Sequence, residues 1–548
     1  MSDSGTPSSS NRRKRTGKPR SRKGCKTCKI RHVKCGEEKP ECSQCTLTGR
    51  KCDGYTAASQ RQLHQAIIKS TPRHLWSPCP DRNIVLVPGT WEERQYVQFF
   101  CTQTAHALSG FFPSDFWTKF LPQLSHRNPA VRHAVIAVGA LHQRQLQGRL
   151  LSANADPRED DEFALQQYNK AIRKFLQQVE SPTEVENESM LIQCVLFICL
   201  EMLRGNTKQA MDHVEGGLRM LSRQLQDNKI ASQSVFGRDL SQFFYRQNIQ
   251  LSYFGRQLVP FTATVSNDFA ILASNEDLVF ENINQARDCL TNVITRVLCL
   301  IRSVQSHIWT IPQKPLCQWQ LQHQLDLLGE LDTWFKAFQT LRKKPANTIR
   351  VLDSRAPLSI LCQYYAAVTW LSTCTSLDEM NFDHFYPYFE AIVSAGEKLV
   401  ELCAKDASNS TTEQFVLDAE VIPVLYWAVM RCRHPNLRRR GMHALTKYLA
   451  REGMWDKRQH LAIARRFMEL EEAALAHLPV EQRLPAAHHR VYDAMICREI
   501  SSPSNSCTVL FRSKPHGIDG PWEHRWEQVT WERQYNYECE IKQLTNGL

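Results

Sequence analysis

Six cysteines between positions 25 and 52 constrain the fold of this chain more than any other feature of its sequence. In the order Cys25-x2-Cys28-x6-Cys35-x6-Cys42-x2-Cys45-x6-Cys52, they repeat the unit C-x2-C-x6-C twice. The stretch that contains them has few large apolar side chains, and a segment this short cannot fold without a crosslink. The cysteines therefore determine how this part of the chain is held together.

Two C-x2-C pairs at this spacing indicate zinc, which favours four thiolates in tetrahedral geometry. Six sulfurs are too few for two separate four-sulfur sites, so two Zn2+ ions can each reach four ligands only if two sulfurs bridge. The two-fold repeat assigns the bridges to the first cysteine of each half, Cys25 and Cys42. Zinc binding would then supply the folding free energy. The predicted ligands of the two ions are Cys25, Cys28, Cys35, Cys42, Cys45 and Cys52.

Two other uses of the cysteines deserve consideration. A disulfide framework is typical of secreted proteins, whereas the N-terminus here is polar and basic, without the apolar segment of a secretory signal. Two mononuclear zinc sites would require His32 and one further ligand, and His32 lies in a run that we expect to be helical and solvent-facing. The binuclear cluster fits the spacing better than either alternative.

The positive charge of the chain is concentrated beside these cysteines. Residues 1–55 contain 15 Lys and Arg residues and 5 Asp and Glu residues, a net charge of +10, while the whole chain carries +12. The remaining 493 residues therefore carry only +2. No apolar residues accompany the basic block for insertion into lipid, which favours nucleic acid over a membrane as the partner.

The segment between Cys28 and Cys35 combines cations with two apolar residues. A helix beginning at Cys28 would turn Ile30 and Val33 inward over the cluster. The outer surface would then present Lys29, Arg31, His32 and Lys34. Because arginine is suited to bidentate contact with guanine O6 and N7, this pattern is typical of a helix that reads DNA.

The run GCKTCKIRHVKCGEEKPECSQCTLTGRKCDGY, at residues 24–55, resembles the fungal zinc binuclear-cluster (Zn2Cys6) transcription regulators. It matches them at all six cysteines, in the basic segment after the second, and in the proline before the fourth. The resemblance implies two short helices around two zinc ions, supports the bridging role of Cys25 and Cys42, and implies that the first helix enters the DNA major groove at a CGG-like half-site.

The resemblance also implies roles for the basic residues. Arg31 and His32 would face base edges, although the family often has Lys or Arg where this chain has His32, which leaves the triplet open. Lys29 and Lys34 would hold phosphates. Apart from the resemblance, the further residues predicted to contact DNA are Lys26 and, in the basic segment before the cysteines, Arg20, Arg22 and Lys23.

Residues 1–23 are expected to form a disordered basic arm. Beside a DNA-binding module, such an arm is typical of nuclear import and of non-specific phosphate contact. We therefore expect a nuclear protein that contacts the import and transcription machinery. The predicted nuclear localisation signal is Arg12, Arg13, Lys14 and Arg15.

The rest of the chain shows helical periodicity. Residues 24–54 form the zinc module, 55–90 a proline-rich linker without coiled-coil heptads, 91–480 a large helical region, and 481–548 a C-terminal extension whose fold the sequence leaves unassigned. Asn128-Pro129 is a helix start signal, and Met190 to Leu203 is apolar nearly all round. The predicted fold class is all-α, with a small Zn2Cys6 module and a multi-helical domain.

Three stretches of the helical region, ERQYVQFFCTQTAHALSGFFPSDFW, RNPAVRHAVIAVGALH and VLYWAVMRCRHPNLRRRGMHAL, resemble the regulatory domain that accompanies this cluster in fungal regulators. The resemblance covers Trp91 to about Glu472 and implies an all-α domain that modulates activity without catalysis. The basic run 438–440 is interpreted as a solvated helix face. Trp334, Phe335 and Phe338 are expected in the core.

Two functions are compatible with this sequence. The first is a zinc-dependent, sequence-specific DNA-binding regulator of RNA polymerase II transcription that is not an enzyme. The alternative is a ligand-sensing or enzymatic helical protein that the zinc module merely localises to DNA. The sequence also leaves open whether the protein binds DNA as a monomer or as a homodimer formed through the helical domain.

Overall fold

The chain folds as two compact units that divide between Asn83 and Ile84. The computed structural model describes residues 24–38, 40–54, 88–150, 159–179, 186–226, 235–259, 278–310, 315–343, 355–407, 415–418, 420–448, 451–497 and 505–531. The basic arm, with Arg12, Arg13, Lys14, Arg15, Arg20, Arg22 and Lys23, lies outside the described residues, as does most of the linker.

The first unit contains two short helices, α1 (Lys26–Ile30) and α2 (Ser43–Thr46), in its described part. Cys25 is the N-cap of α1 and Cys42 is the N-cap of α2. In the described part of this unit the buried residues are Gly24, which has no side chain, and the six cysteines, which form one cluster. Its interior therefore consists of sulfur.

The second unit is predominantly helical, as predicted. Its helices, in chain order, are α3 (Trp91–Phe99), α4 (Ala105–Ser109), α5 (Leu121–Arg127), α6 (Pro129–Leu150), α7 (Glu159–Val179), α8 (Glu186–Arg204), α9 (Thr207–Gln226), α10 (Val235–Tyr253), α11 (Ile283–Thr310), α12 (Gln318–Lys343), α13 (Arg355–Thr373), α14 (Tyr386–Ala407), α15 (Ile422–Arg431), α16 (Pro435–Lys447) and α17 (Lys457–Glu472). None of the helices in the described ranges has the length and apolar character that crossing a bilayer requires.

Local signals in the sequence locate several of these helices. The Asn128 side-chain oxygen accepts hydrogen bonds from the backbone N–H groups of Ala130 at 2.9 Å and Val131 at 3.2 Å, so the predicted N-cap of α6 is confirmed. The apolar stretch predicted to be a central helix forms α8, which is buried along most of its length.

The core of this unit contains the predicted aromatic residues. Trp334 and Phe338 are fully buried, and their rings stack 4.8 Å apart. The Trp334 indole N–H donates to the Ala286 carbonyl oxygen at 2.9 Å, so its polar atom is satisfied. Phe335 is partly buried against the same core and stacks on Tyr364.

The interpretation of the arginine run at 438–440 as a solvated face was wrong for Arg438 and Arg439, whereas the Arg440 side chain is 42% exposed. Arg438 is only 1% exposed, and its guanidinium donates to Glu471 Oε2 at 2.7 Å. Arg439 and Arg440 also form ion pairs, Arg439 with Glu472 on α17 and Arg440 with carboxylates on α14. A helix start fixed by Pro435 directs the arginines toward neighbouring helices that carry the matching acids, and spacing along one helix does not reveal those partners.

The C-terminal extension contains a three-stranded antiparallel sheet of β4 (Val491–Cys497), β5 (Ser506–Ser513) and β6 (Glu523–Thr530). A second, minor sheet is built from β1 (Phe415–Val416), β2 (Arg451–Glu452) and β3 (Trp455–Asp456). Alternate residues of β5, namely Cys507, Val509 and Phe511, are buried and pack against α17. This alternation in SCTVLFRS was a strand signal that the sequence analysis missed.

Candidate metal centre and nucleic-acid interface

The six cysteine sulfurs form two overlapping sets of four. The first set is Cys25, Cys28, Cys35 and Cys42, and the second is Cys25, Cys42, Cys45 and Cys52. Within each set the sulfurs lie within 4.8 Å of one another. Only Cys25 and Cys42 occur in both sets, which is the arrangement that two metal ions with two bridging thiolates require.

The sulfur–sulfur distances fit zinc. Cys25 Sγ lies 3.6 Å from Cys42 Sγ and 3.8 Å from Cys45 Sγ, and Cys28 Sγ lies 3.6 Å from Cys42 Sγ. A tetrahedral site with Zn–S bonds of about 2.3 Å places its sulfurs about 3.8 Å apart. A disulfide would require about 2.05 Å, and none of the six cysteines forms a disulfide. The donor set and its spacing therefore fit two zinc ions.

The protonation state of the clustered cysteines depends on nearby positive charge. Burial raises the pKa of the Cys25 and Cys28 thiols and raises the pKa of Cys45 to about 12. Backbone N–H groups of Cys42 and Gly54 lower the pKa of the Cys52 thiol. Because zinc binds thiolates, divalent charge at the centre is what would keep the clustered sulfurs deprotonated.

The two halves of the module have the same backbone conformation, offset by 17 residues along the sequence. The Val33 N–H donates to the Cys28 carbonyl oxygen at 3.1 Å, and the equivalent bond joins Arg50 to Cys45 at 3.0 Å. In each half the residue before that donor is left-handed: His32 has φ 56° and Gly49 has φ 62°. Each helix therefore ends in a Schellman motif, and the sequence repeat is also a structural repeat.

Substitution of Gly49 tests this helix end. A Cβ at Gly49 would meet nothing within 4 Å, so Gly49→Ala adds only the cost of a left-handed L-residue, about 1–2 kcal/mol. Because folding and zinc binding are coupled, we expect a weaker affinity for zinc, measured by chelator competition. Gly329→Ala, at a helical glycine with equally open surroundings, should leave the affinity unchanged. An unchanged affinity in Gly49→Ala would contradict the coupling.

The prediction that Ile30 and Val33 turn inward was wrong. Ile30 is 75% exposed and Val33 is 41% exposed. Helix α1 begins at Lys26 rather than at Cys28, and the residue on its inward face is Cys28, which is fully buried. Ile30 lies about 200° further round the helix, on the outward side. The helix ends before Val33, so the i, i+3 relation on which the prediction depended does not exist.

The predicted DNA-contacting side chains lie around this outward face. Lys26, Lys29, His32 and Lys34 are exposed. Arg31 is half-buried, and its Nη1 atom donates to the Thr48 hydroxyl at 3.1 Å. His32 is solvent-facing as expected, but it follows the helix in a left-handed turn instead of continuing it.

Two polar contacts that the sequence analysis did not predict join separate segments of the module. The Thr27 hydroxyl donates to the Asp53 carboxylate at 2.9 Å and accepts from the Asp53 backbone N–H at 2.9 Å, which ties α1 to the end of the cluster segment. The Glu38 carboxylate accepts from the backbone N–H of Ser43 at 3.0 Å at the start of α2. That backbone N–H, together with the Ser43 hydroxyl, lowers the pKa of Glu38. No local spacing pattern signals either pair.

Two of the clefts in the described part of the second unit bear on whether it could hold a small molecule. One, of about 560 Å3, lies between α11 and α12, and its walls include Cys289, Trp334 and the Arg296–Glu330 ion pair. The other, of about 150 Å3, lies where Trp370 and Phe382 approach Tyr492 and Trp522.

Family comparisons match both units. Residues 23–62 match the family described as Fungal Zn(2)-Cys(6) binuclear cluster domain, and residues 95–336 match the family described as Fungal specific transcription factor domain. No solved structure matches the chain.

Several curated proteins are similar over part of the chain. The aspercryptin biosynthesis cluster-specific transcription regulator atnN of Emericella nidulans is 34% identical over 246 residues, 41% of this chain and 38% of that protein. The transcription regulator lscL of Purpureocillium lilacinum is 28% identical over 35% of this chain and 47% of its own length. The transcriptional regulatory protein moc3 of Schizosaccharomyces pombe is 45% identical over 20% of this chain and 19% of its own. The chain thus spans less than half the length of each.

Proposed function

The chain is a member of the fungal Zn2Cys6 transcription regulators, and from that premise we propose that it regulates RNA polymerase II transcription by sequence-specific DNA binding in the nucleus. Two Zn2+ ions, bridged by Cys25 and Cys42, hold α1 against a CGG-like half-site in the major groove. The helical second unit modulates this activity and is not an enzyme.

The observation that carries the proposal is a difference in charge between two equivalent helices. Offset by 17 residues, α2 has the backbone of α1, so the metal scaffold by itself favours neither as the DNA-reading element. In the α1 half the basic residues are Lys26, Lys29, Arg31 and Lys34, and the equivalent positions in the α2 half are Ser43, Thr46, Thr48 and Lys51. A polyanion is therefore attracted to α1 and the turn that follows it.

The residues of this surface divide into two roles. Arg31 and His32, at the end of α1, face base edges, where a guanidinium is suited to guanine O6 and N7. To do so, Arg31 exchanges its hydrogen bond to Thr48 for one to a base. Lys26, Lys29 and Lys34 bind phosphates and fix the register of the module, together with Arg20, Arg22 and Lys23.

The ligand-sensing alternative has one supporting observation, the 560 Å3 cleft, whose volume is in the range of small-molecule sites. Its wall carries a charged pair, whereas such sites are usually mostly apolar. A ligand at this cleft would act as an effector of the DNA-binding protein. A homodimer formed through the second unit stays a prediction, as does contact with the import and transcription machinery.

Selection from a random DNA pool tests the proposed function. The zinc-loaded full chain is expected to enrich one shared triplet related to CGG, and a chain treated with chelator is expected to enrich none. Arg31→Ala should relax preference at one base pair, with a loss of about 1–3 kcal/mol. If the zinc-loaded chain enriches no sequence, or enriches the same one after chelation, the assignment is wrong.

Neutralising the basic arm tests whether it contacts DNA phosphates without reading the base sequence. Replacing Arg12, Arg13, Lys14 and Arg15 by glutamine should weaken binding to all DNA sequences alike and lower the slope of log affinity against log salt by up to about 0.9 per lost contact. The enriched triplet should not change. Lys336→Gln with Lys398→Gln, at exposed lysines of the second unit, is the matched control. A changed base preference in the arm variant would contradict the assigned role.

A further inference from the structure

We propose that Ile30 is a specificity-determining residue that packs against the 5-methyl group of a thymine in the major groove, at a base pair that flanks the CGG-like triplet. This inference rests on the proposed function, because it requires α1 to face DNA. It assigns a base contact to an apolar side chain that the sequence analysis placed inside the cluster.

The first support is the direction of the side chain. Cys28 points into the cluster and is fully buried, while Ile30, about 200° further round the same helix, is 75% exposed. Lys26 is four residues earlier, on the same face of α1, and is also exposed. The exposed face of α1 therefore carries a branched apolar side chain with a lysine beside it.

The second support is the comparison with α2. Leu47 is the equivalent of Ile30 after the offset of 17 residues, and it is 81% exposed. Ile30 lies between Lys29 and Arg31, whereas Leu47 lies between Thr46 and Thr48. Of these two apolar residues, Ile30 is flanked by cations that attract DNA, and Leu47 is not. Leu47 is therefore an internal control, an exposed apolar residue that is not expected to contact DNA.

The chemistry of the major groove identifies the contact. Among the base-pair edges, thymine presents a methyl group there, and the other groups are hydrogen-bond donors and acceptors. An isoleucine cannot satisfy donors or acceptors, so the apolar methyl is the group with which it can exclude water favourably. We expect the contact to favour thymine over uracil by about fourfold, the effect of burying one methyl group, since about 0.8 kcal/mol corresponds to that ratio.

The test replaces thymine by deoxyuridine, which lacks only this methyl group. In the DNA site selected by the zinc-loaded full chain, each thymine is replaced singly by uracil and the affinity is measured. For the natural chain we expect one position at which uracil lowers the affinity about fourfold. For Ile30→Ala the ratio at that position should fall to about one, while Leu47→Ala should keep the fourfold ratio.

Zinc content per chain, measured for all three proteins, shows that the substitutions leave the metal cluster intact. If uracil costs nothing at every thymine with the natural chain, or if Ile30→Ala keeps the fourfold ratio, the inference is overturned while sequence-specific binding stands. If the chain enriches no DNA sequence at all, the proposed function fails first, and the inference fails with it.

Discussion

Cys25→Ala is expected to empty both metal positions and to abolish sequence-specific DNA binding. Its sulfur belongs to both sets of four, so its loss leaves each ion with three protein ligands and leaves Cys42 as a single bridge in place of two. Because the interior of the module is sulfur, losing the ions also unfolds it. Zinc analysis should fall from about two ions per chain to near none, and affinity for the selected site should fall to the non-specific level, about a thousandfold or more.

Two further variants make this result specific to a bridging ligand. Cys45 belongs to one set only, so Cys45→Ala should retain more zinc than Cys25→Ala, up to about one ion per chain. Cys317 is exposed and far from the cluster in sequence, and Cys317→Ala should bind two ions. One zinc ion per natural chain, or equal zinc content in the Cys25 and Cys45 variants, would contradict the bridging arrangement.

Glu471→Gln is expected to destabilise the second unit by about 3–5 kcal/mol, because it removes the carboxylate that two buried arginines share. Arg433 then keeps Glu379 at 2.8 Å, but the remaining carboxylate near Arg438 is Glu472, at 3.9 Å. Glu471 is fully buried and accepts from Arg433 at 3.1 Å, from Arg438 at 2.7 Å, and from the Val491 backbone N–H at 2.9 Å. One carboxylate thus joins α17, α16 and the first strand of the C-terminal sheet. Urea unfolding followed by helical circular dichroism measures the effect.

Glu469→Gln is the matched control on the same helix. Its carboxylate is half exposed and pairs with Arg466 at the surface, so about 0–1 kcal/mol is expected. If the two variants have the same unfolding midpoint, the buried network is not a major source of stability.

The Glu471 network also predicts a dependence on pH. Burial opposes ionisation, but Arg433 and Arg438 hold the pKa of Glu471 below its usual value. A group with a lowered folded-state pKa stabilises the fold above its unfolded pKa, and this contribution is lost as the pH falls through the folded value. The difference in stability between the natural chain and Glu471→Gln should therefore be largest near neutral pH and should shrink in acid.

The sequence and the structure agree best where ligand chemistry is local. Each half of the cysteine repeat contains its own helix, its own N-cap and its own pair of adjacent ligands, so spacing and counting alone led to Cys25 and Cys42 as the shared sulfurs. Helix starts such as Asn128-Pro129 could also be predicted from local sequence, because the cap side chain bonds to backbone groups two and three residues away.

The outward direction of Ile30 and the partners of the arginines at 438–440 could not be predicted from near neighbours in the sequence. Cys28, buried in the cysteine cluster, sets the rotation of α1, so the apolar Ile30 faces outward against the usual hydrophobic pattern. Arg438 looks like a surface residue until α17, 33 residues later, brings Glu471 beside it. Sequence alone determined the donor atoms, the helical class and the concentration of charge, because these depend on near neighbours. Tertiary structure decided which faces are covered, because that depends on residues that meet only after the chain has folded.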